Sequence, residues 1–336
     1  MVEKILVTGA SGFIGSFLVE GGLQRDMQVW AGIRKSSSRR YLQDERITPA
    51  ILDFTDSEHL EAQLLEHKRE HGGWDYIIHC AGVTKCWDEA DFEIGNYCAT
   101  RHFIEVLQKL QMVPRIFVYL SSLSVFGPVR ETDYSEISEY DTPQPNTAYG
   151  KSKLLAEQYL HTLSDFPFVI FRPTGVYGPR ERDYFLMAQS IARHVDFMAG
   201  WKRQDLTFVY VKDLVKAVYL GIEKKAVGRS YFVTDGAVYA STAFSDLIKN
   251  ELGNPWIVRL KCPLGLLKVI SYTAGWLAAL MGKTSTLNRD KYNIMKQRNW
   301  RCDITPLQQE LGYRADYPLE RGVKETIAWY KKEGWI

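Results

Sequence analysis

Three glycines, each separated from the next by two residues, constrain this chain more than any other feature: Gly9, Gly12 and Gly15. They follow a short apolar run, Lys4-Ile5-Leu6-Val7, and precede a segment in which Phe17, Leu18 and Leu23 share one face of a helix. A continuous apolar run of that kind is the pattern of a parallel strand buried on both faces. The predicted order is therefore strand, glycine turn, helix. Gly9 lets the chain turn sharply off the strand. Gly12 removes a Cβ where a pyrophosphate approaches the backbone, and Gly15 lets helix and sheet pack closely. The helix N-terminus then offers unpaired N–H groups and a partial positive charge to phosphate oxygens. Ser11, Phe13 and Ile14 lie between these glycines and belong to the same expected cofactor site.

With Thr8 in front, the motif reads T-G-A-S-G-F-I-G. It resembles the extended short-chain dehydrogenase/reductase superfamily, which includes the epimerase/dehydratase enzymes. The resemblance implies an α/β fold, a Rossmann-type doubly wound parallel sheet with a smaller, interleaved C-terminal substrate domain. Residues 1–173 plus 207–240 are expected to form the dinucleotide-binding part, and 174–206 plus 241–336 the substrate-binding region.

The composition agrees with a globular enzyme of this size. The chain has 336 residues, 46% hydrophobic and 24% charged, with a net charge of +2 that gives no basic footprint for nucleic acid. Five cysteines, without a C-x-x-C pair, argue against a disulfide framework or a metal site and suit a reducing cytosol. The N-terminus runs straight into the first strand, so no signal peptide is expected and the predicted location is cytoplasmic.

The second strand, Met27 to Ile33, ends where an acidic residue is expected to hold the adenosine ribose of NAD. Here Ile33 stands in that place, followed by Arg34 and Lys35. A guanidinium matches a phosphate in a fork geometry, so NADP(H) is the favoured cofactor and NAD(H) the alternative. This resembles the dihydroflavonol- and cinnamoyl-type reductases. A third strand is predicted over Ile51 to Asp53; Asp53, with Phe54 after it, stands where the superfamily contacts adenine. A charged amphipathic helix is expected over Leu60 to Glu70. A fourth strand from Trp74 runs into His79-Cys80-Ala81-Gly82, which matches the superfamily's H-x-A-G beside the cofactor. His79 is read as structural. A helix is predicted over Asn96 to Gln111, with Asn96 opening a run similar to N-x-x-G-T in which Ala99 replaces the glycine. The fifth strand, Arg115 to Leu120, leads into Ser121-Ser122-Leu123-Ser124, and a polar loop from Pro128 to Pro145 reads as a flap over the site. Phe168 to Pro173 is the sixth strand, with Pro173 at the cofactor site. Thr207 to Val211 and Tyr231 to Thr234 read as returning strands.

Tyr149 and Lys153 are four apart on a helix that Asn146 or Thr147 can cap, so both face one way. They match the superfamily's Y-x-x-x-K. An ammonium beside a phenol favours the phenolate, so a lowered Tyr149 pKa is expected, with Tyr149 as general acid/base and both residues also contacting the cofactor. Counting back from Val125-Phe126-Gly127, similar to the family's V-Y-G, places the catalytic hydroxyl on Ser122.

Two departures bear on the substrate. Nucleotide-sugar members carry R-P-x-N-x-Y-G-P and R-D-Y-x-x-V-x-D, whose asparagine and arginine hold a diphosphate. This chain has Gly175 and Leu206 at those places, with Arg180, Arg182 and Lys202 as candidate replacements. The apolar stretch from Pro263 to Met281 reads as a buried helix, or as an apolar substrate wall with peripheral membrane contact. It resembles the 3β-hydroxysteroid dehydrogenase branch, as does the aromatic C-terminus. The reading is an NAD(P)-dependent oxidoreductase interconverting a ketone and a secondary alcohol on a hydrophobic substrate, sterol-like or a long-chain keto-lipid such as a 3-keto-sphingoid base. The alternatives are a nucleotide-sugar epimerase/dehydratase and a non-catalytic nucleotide-sensing regulator. A homodimer through sheet-flanking helices is common in the superfamily and is left open.

Overall fold

The apolar run after the N-terminus is a strand, β1 (Lys4–Thr8), and its side chains alternate between two cores. Ile5 and Val7 join one apolar cluster and Leu6 the other, as period-2 geometry requires of a strand buried on both faces. The computed structural model describes residues 2–86, 88–280 and 287–336, without the side chains of 276–280. Met1, Trp87 and 281–286, which fall within the expected domain ranges and include the end of the 263–281 stretch, lie outside the described residues.

Among the described residues, β1 is joined by β2 (Gln28–Ile33), β3 (Ile47–Ile51), β4 (Tyr76–His79), β5 (Ile116–Leu120), β6 (Phe168–Pro173) and β7 (Ser230–Val233). The sheet order is β7-β6-β5-β4-β1-β2-β3, and every pair is parallel. This is the doubly wound α/β fold. The strand order reverses between β1 and β4, where such sheets open a ligand crevice at their C-terminal edge. On one face the helices Phe13–Leu23 and Val211–Glu223 bury Phe17, Leu18, Leu214 and Val218. On the other, Ser57–His71, Ala99–Lys109 and Ala148–Thr162 contribute Leu60, Leu64, Phe103, Leu107 and Leu160. A third core unites Tyr177, Ile191, Phe208, Phe244 and Ile248 with the C-terminal helix Leu319–Lys332.

Several boundaries differ from the sequence reading. The third strand is Ile47–Ile51, and Asp53 follows it rather than ending it. Pro49 and the exposed Thr48 obscure its pattern; both are tolerated because β3 is the sheet edge. The helix expected from Asn96 begins earlier, at Glu89, where Asp88 and Asp91 form a capping box. It passes through a π-helical turn, Glu93–Cys98, before Ala99. Phe208–Tyr210 does not return to the central sheet but pairs with Gly175–Tyr177 outside it. The Pro128–Pro145 loop is pinned at its middle, where Ile137 N donates to Arg301 O and Asp303 N donates to Ile137 O.

Candidate active site

The turn between β1 and its helix has the form the glycines require. Gly9 has φ +66°, and a Cβ there would lie 2.8 Å from Ala81 N. The helix cap at Gly12 carries no side-chain hydrogen bond, so donors at that N-terminus remain for an anion. A Cβ on Gly82 would lie 2.6 Å from Asn96 Oδ1 and 3.4 Å from Lys153 Nζ. Gly9, Gly12, Gly15 and Ala81 thus meet in one tight turn, with Gly82 beside Asn96 and Lys153, and added side chains would fill this cradle. The residues present fit a dinucleotide.

A buried relay holds the far wall of this cradle. Ala81 N donates to Thr8 Oγ1 at 3.1 Å, and Thr8 Oγ1 meets His79 Nδ1 at 2.9 Å. His79 Nε2 meets Thr100 Oγ1 at 3.0 Å, which donates to Asn96 O at 2.6 Å. Burial pulls His79 down to about 3, so its ring is neutral and structural. Asn96, wholly buried in the π-turn, clamps the next residue: its Oδ1 accepts from Val83 N at 2.8 Å and its Nδ2 donates to Val83 O at 3.0 Å. The same Nδ2 reaches Ser152 Oγ at 2.9 Å, tying the loop to the Tyr149 helix. Phe54 packs edge-on against His79 and Phe103 rather than into the open groove.

Arg34 and Lys35 are exposed just beyond β2. Asp53 accepts from Thr55 N–H and Oγ1–H, which hold its carboxyl below its ordinary range, and the Arg34 guanidinium adds to that effect. Arg34 therefore lies near Asp53, just beyond the end of β2.

Tyr149 sits in the first turn of Ala148–Thr162. Thr147 caps that helix by accepting from Gly150 N at 2.9 Å. A second cap comes from far along the chain: Asp290 accepts from Ala148 N at 3.0 Å and Tyr149 N at 3.1 Å. No local signal marks Asp290, because its partners are more than a hundred residues away. Lys153 donates to Leu120 O at 2.8 Å and lies over the Tyr119 ring. Ser122 caps the short turn Leu123–Val125, and its hydroxyl donates to Ser124 Oγ at 3.1 Å. The fold thus brings Ser122, Tyr149 and Lys153 to the end of β5.

The electrostatics differ from the expectation of a lowered tyrosine. Burial pushes the Tyr149 phenol up to about 12; the Cys80 thiol acts in the same direction, and a hydrogen bond with Ser122 opposes them. Burial also pulls Lys153 down to about 8, against the Cys80 and Glu157 side chains. Withdrawal from water is the largest cause at both groups. The sign fixes a stability effect. Between about pH 8 and 10.5 the unfolded chain keeps the Lys153 proton that the folded chain releases, so Lys153 makes stability rise with pH there. From pH 7.5 to 9.5, wild-type protein is expected to gain about 2 kcal/mol relative to Lys153→Met. Urea unfolding of both proteins at the two pH values measures this. The comparison must be between the two proteins, because the raised thiols of Cys80, Cys86 and Cys302 pull the other way. Equal pH slopes would refute the buried-lysine account.

Beside Ser122 and Pro173 opens a cavity of about 320 Å³. Its walls include Met187, Leu206, Phe208, Phe244, Ile294 and Trp300; among the described residues no lysine or arginine lines it, and the one charged group there, Asp196, is paired with Arg259 at 2.9 Å. Gly175 has a specific neighbour: a Cβ there would meet the Tyr184 hydroxyl at 2.4 Å. Tyr184 stacks on Phe244, so an aromatic wall occupies the room a larger residue at 175 would need. The candidate replacement cations are elsewhere. Arg180 is held by Ser16 and Glu20 between the Phe17 and Tyr41 rings, Arg182 lies toward Trp335, and Lys202 is exposed. The predicted apolar wall is also corrected. Among the described side chains of the Leu264–Leu280 helix none lines the cavity, and Leu266, Val269 and Ile270 are exposed rather than buried. The 128–145 loop contributes no lining residue either. Sequence reasoning missed Thr174, whose buried Oγ1 has no partner and which lines the cavity.

Comparison with known proteins places this geometry. The NAD dependent epimerase/dehydratase family matches residues 5–233. The chain belongs to that family. It is 29% identical, over 97% of both chains, to a Bacillus subtilis protein described as an uncharacterized UDP-glucose epimerase. It is 22% identical, over 98% of both, to the decarboxylating sterol-4-alpha-carboxylate 3-dehydrogenase of Saccharomyces cerevisiae. In fold it is similar to the dTDP-glucose 4,6-dehydratase of Bacillus anthracis solved with NAD, with a TM-score of 0.77, 20% identity, and 99% and 98% of the two chains covered. Family membership makes it an NAD-dependent enzyme of the extended short-chain dehydrogenase/reductase type. Both sugar-nucleotide and sterol chemistry occur among such relatives, so the choice between them rests on the cavity.

Proposed function

We propose that this family member reduces a ketone, or oxidises the matching secondary alcohol, on a sterol-like or long-chain lipid substrate, with NADP(H) preferred. The observation that carries the reading is the cavity beside Ser122: mostly apolar, without a cationic side chain among the described residues, and closed by Tyr184 at Gly175. Burying apolar surface yields about 25 cal/mol per Å², so a few hundred Å² of contact contributes several kcal/mol before ordering costs. A diphosphate placed there would lose its hydration without a charged partner.

The geometry supports the following roles. Gly9, Gly12, Gly15, Ala81 and Gly82 would hold the dinucleotide, Arg34 its 2′-phosphate and Asp53 its adenine. When bound, a nicotinamide would supply or take up the hydride at the substrate carbon. Ser122 hydrogen-bonds the substrate oxygen and Tyr149 passes it a proton; a phenol pushed up to about 12 is protonated at neutral pH, as ketone reduction needs. Lys153, anchored on Leu120 O, holds the cofactor side of the site and the charge beside Tyr149.

The test is a substrate panel of steroid ketones, keto-sphingoid bases and UDP- or dTDP-sugars, run with NADPH and NADH on wild type and Arg34→Ala. Turnover of an apolar ketone is expected, with Arg34→Ala weakening NADPH much more than NADH. Epimerisation or dehydration of a sugar nucleotide, without activity on apolar ketones, would hand the chain to the sugar branch. Tighter NADH than NADPH binding by wild type would show that Arg34 and Lys35 are only solvated surface.

A further inference from the structure

An unusually apolar surface surrounds the outer edge of the cavity. Val195–Ala199 and Val258–Cys262 form a two-stranded parallel sheet in which Phe197 pairs with Leu260, so the two share a face. Phe197 is 62% exposed, Leu260 43% and Val258 49%. The next element, the Leu264–Leu280 helix, is buried at Leu267 and Ser271 but exposes Leu266, Val269, Ile270 and Tyr272. Leu264 packs at Gly200, which joins the helix to the sheet strand. Trp201 and Trp256 stand at the margin, 64% and 68% exposed. Scattered apolar residues on a surface need no explanation, but a contiguous patch does.

The charges around the patch are one-sided. Residues 192–204 and 254–280 contain a single acid, Asp196, which is buried and paired with Arg259. Arg203 is paired with Asp205. The exposed Arg193, Lys202, Lys261 and Lys268 enter no ion pair among the described residues. A second copy of the chain seated on this face would bring cations against cations. An anionic lipid surface would complement them, with tryptophans at the headgroup level and aliphatic side chains below.

We infer that this face docks on a bilayer carrying anionic headgroups, lying in the interface without crossing it. No helix among the described residues is long and apolar enough to cross. Phe197 and Ala199 belong both to the docking sheet and to the cavity lining, so the cavity opens beside the docked face. A lipid-dissolved ketone would then enter without crossing water. That loading role rests on the substrate reading above; the docking does not.

The experiment is co-sedimentation of the full chain with vesicles of phosphatidylcholine alone and of phosphatidylcholine mixed with phosphatidylserine, at low and high salt. Wild type is expected to pellet with the mixed vesicles in a salt-sensitive way. Leu266→Glu/Val269→Glu, at exposed positions outside the cavity, should weaken partitioning about tenfold or more with unchanged circular dichroism. Wild-type protein left in the supernatant with both vesicle types would overturn the inference. So would a dimer in sedimentation velocity that this double variant dissociates, since a second copy would then cover the face. Vesicle binding without turnover of any apolar ketone would support docking while removing the substrate reading. Ketone turnover without vesicle binding would do the reverse.

Discussion

Replacing Tyr149 by phenylalanine is expected to lower turnover by roughly 10²–10⁴-fold, the range general acid–base catalysis supplies, while cofactor affinity stays nearly unchanged. The phenol is pushed up to about 12 by burial, so at neutral pH it is an uncharged proton donor. Phenylalanine keeps the ring, which packs against Phe92, and removes only the hydroxyl and its hydrogen bond with Ser122. The helix is held by Thr147 and Asp290 through backbone N–H groups, which the substitution leaves in place. Steady-state kinetics on the productive substrate and cofactor titration measure the two quantities. Near-normal turnover in Tyr149→Phe would remove this residue from the proton transfer.

Gly15→Ala should have the largest effect on the cofactor cradle. A Cβ at this position would stand 2.1 Å from Gly9 O, 2.7 Å from Gly9 C and 2.9 Å from Ala10 Cα. All three are backbone atoms of the turn, so no side chain can swing aside and the turn itself must open. Overpacking of this kind costs about 1–3 kcal/mol, and the displaced turn takes with it the N–H groups aimed at phosphate. Cofactor affinity is expected to fall by an order of magnitude or more, together with the melting temperature. Gly265→Ala is the matched control, since a Cβ there meets nothing within 4 Å and the position is helical. That control should be neutral, or stabilise by up to about 1 kcal/mol. Unchanged cofactor binding and stability in Gly15→Ala would show that helix and turn do not meet this closely.

Local pattern carries the first half of the chain because its physics is local. β1, the glycine turn and the helix after it are specified within about twenty residues, each by a rule of backbone sterics or burial. The spacing of Tyr149 and Lys153 places both on one helical face whatever surrounds them. Ser122 was found by its offset from Val125-Phe126-Gly127 at a strand end. Where local signals were weak the boundaries slipped: Pro49 hid an edge strand, and the π-turn around Asn96 has no periodicity of its own to announce it.

What only the tertiary structure decided depends on residues far apart in sequence meeting in space. Asp290 caps the Tyr149 helix across the molecule, and Tyr184 fills the space beside Gly175. The ionisation of Tyr149 reversed the local expectation, because burial by the whole fold is the largest cause acting on it. The stretch from Pro263 was legible as apolar but not as exposed, since hydrophobicity states what a segment gains by burial and not which surface provides it. The sequence by itself determined the sheet and the glycine turn, each written in short-range spacing, while the expectation that Ser122, Tyr149 and Lys153 react came from the resemblance to the superfamily. The shape and charge of the cavity were decided by tertiary packing, because its walls come from seven separate segments that only the folded chain brings together.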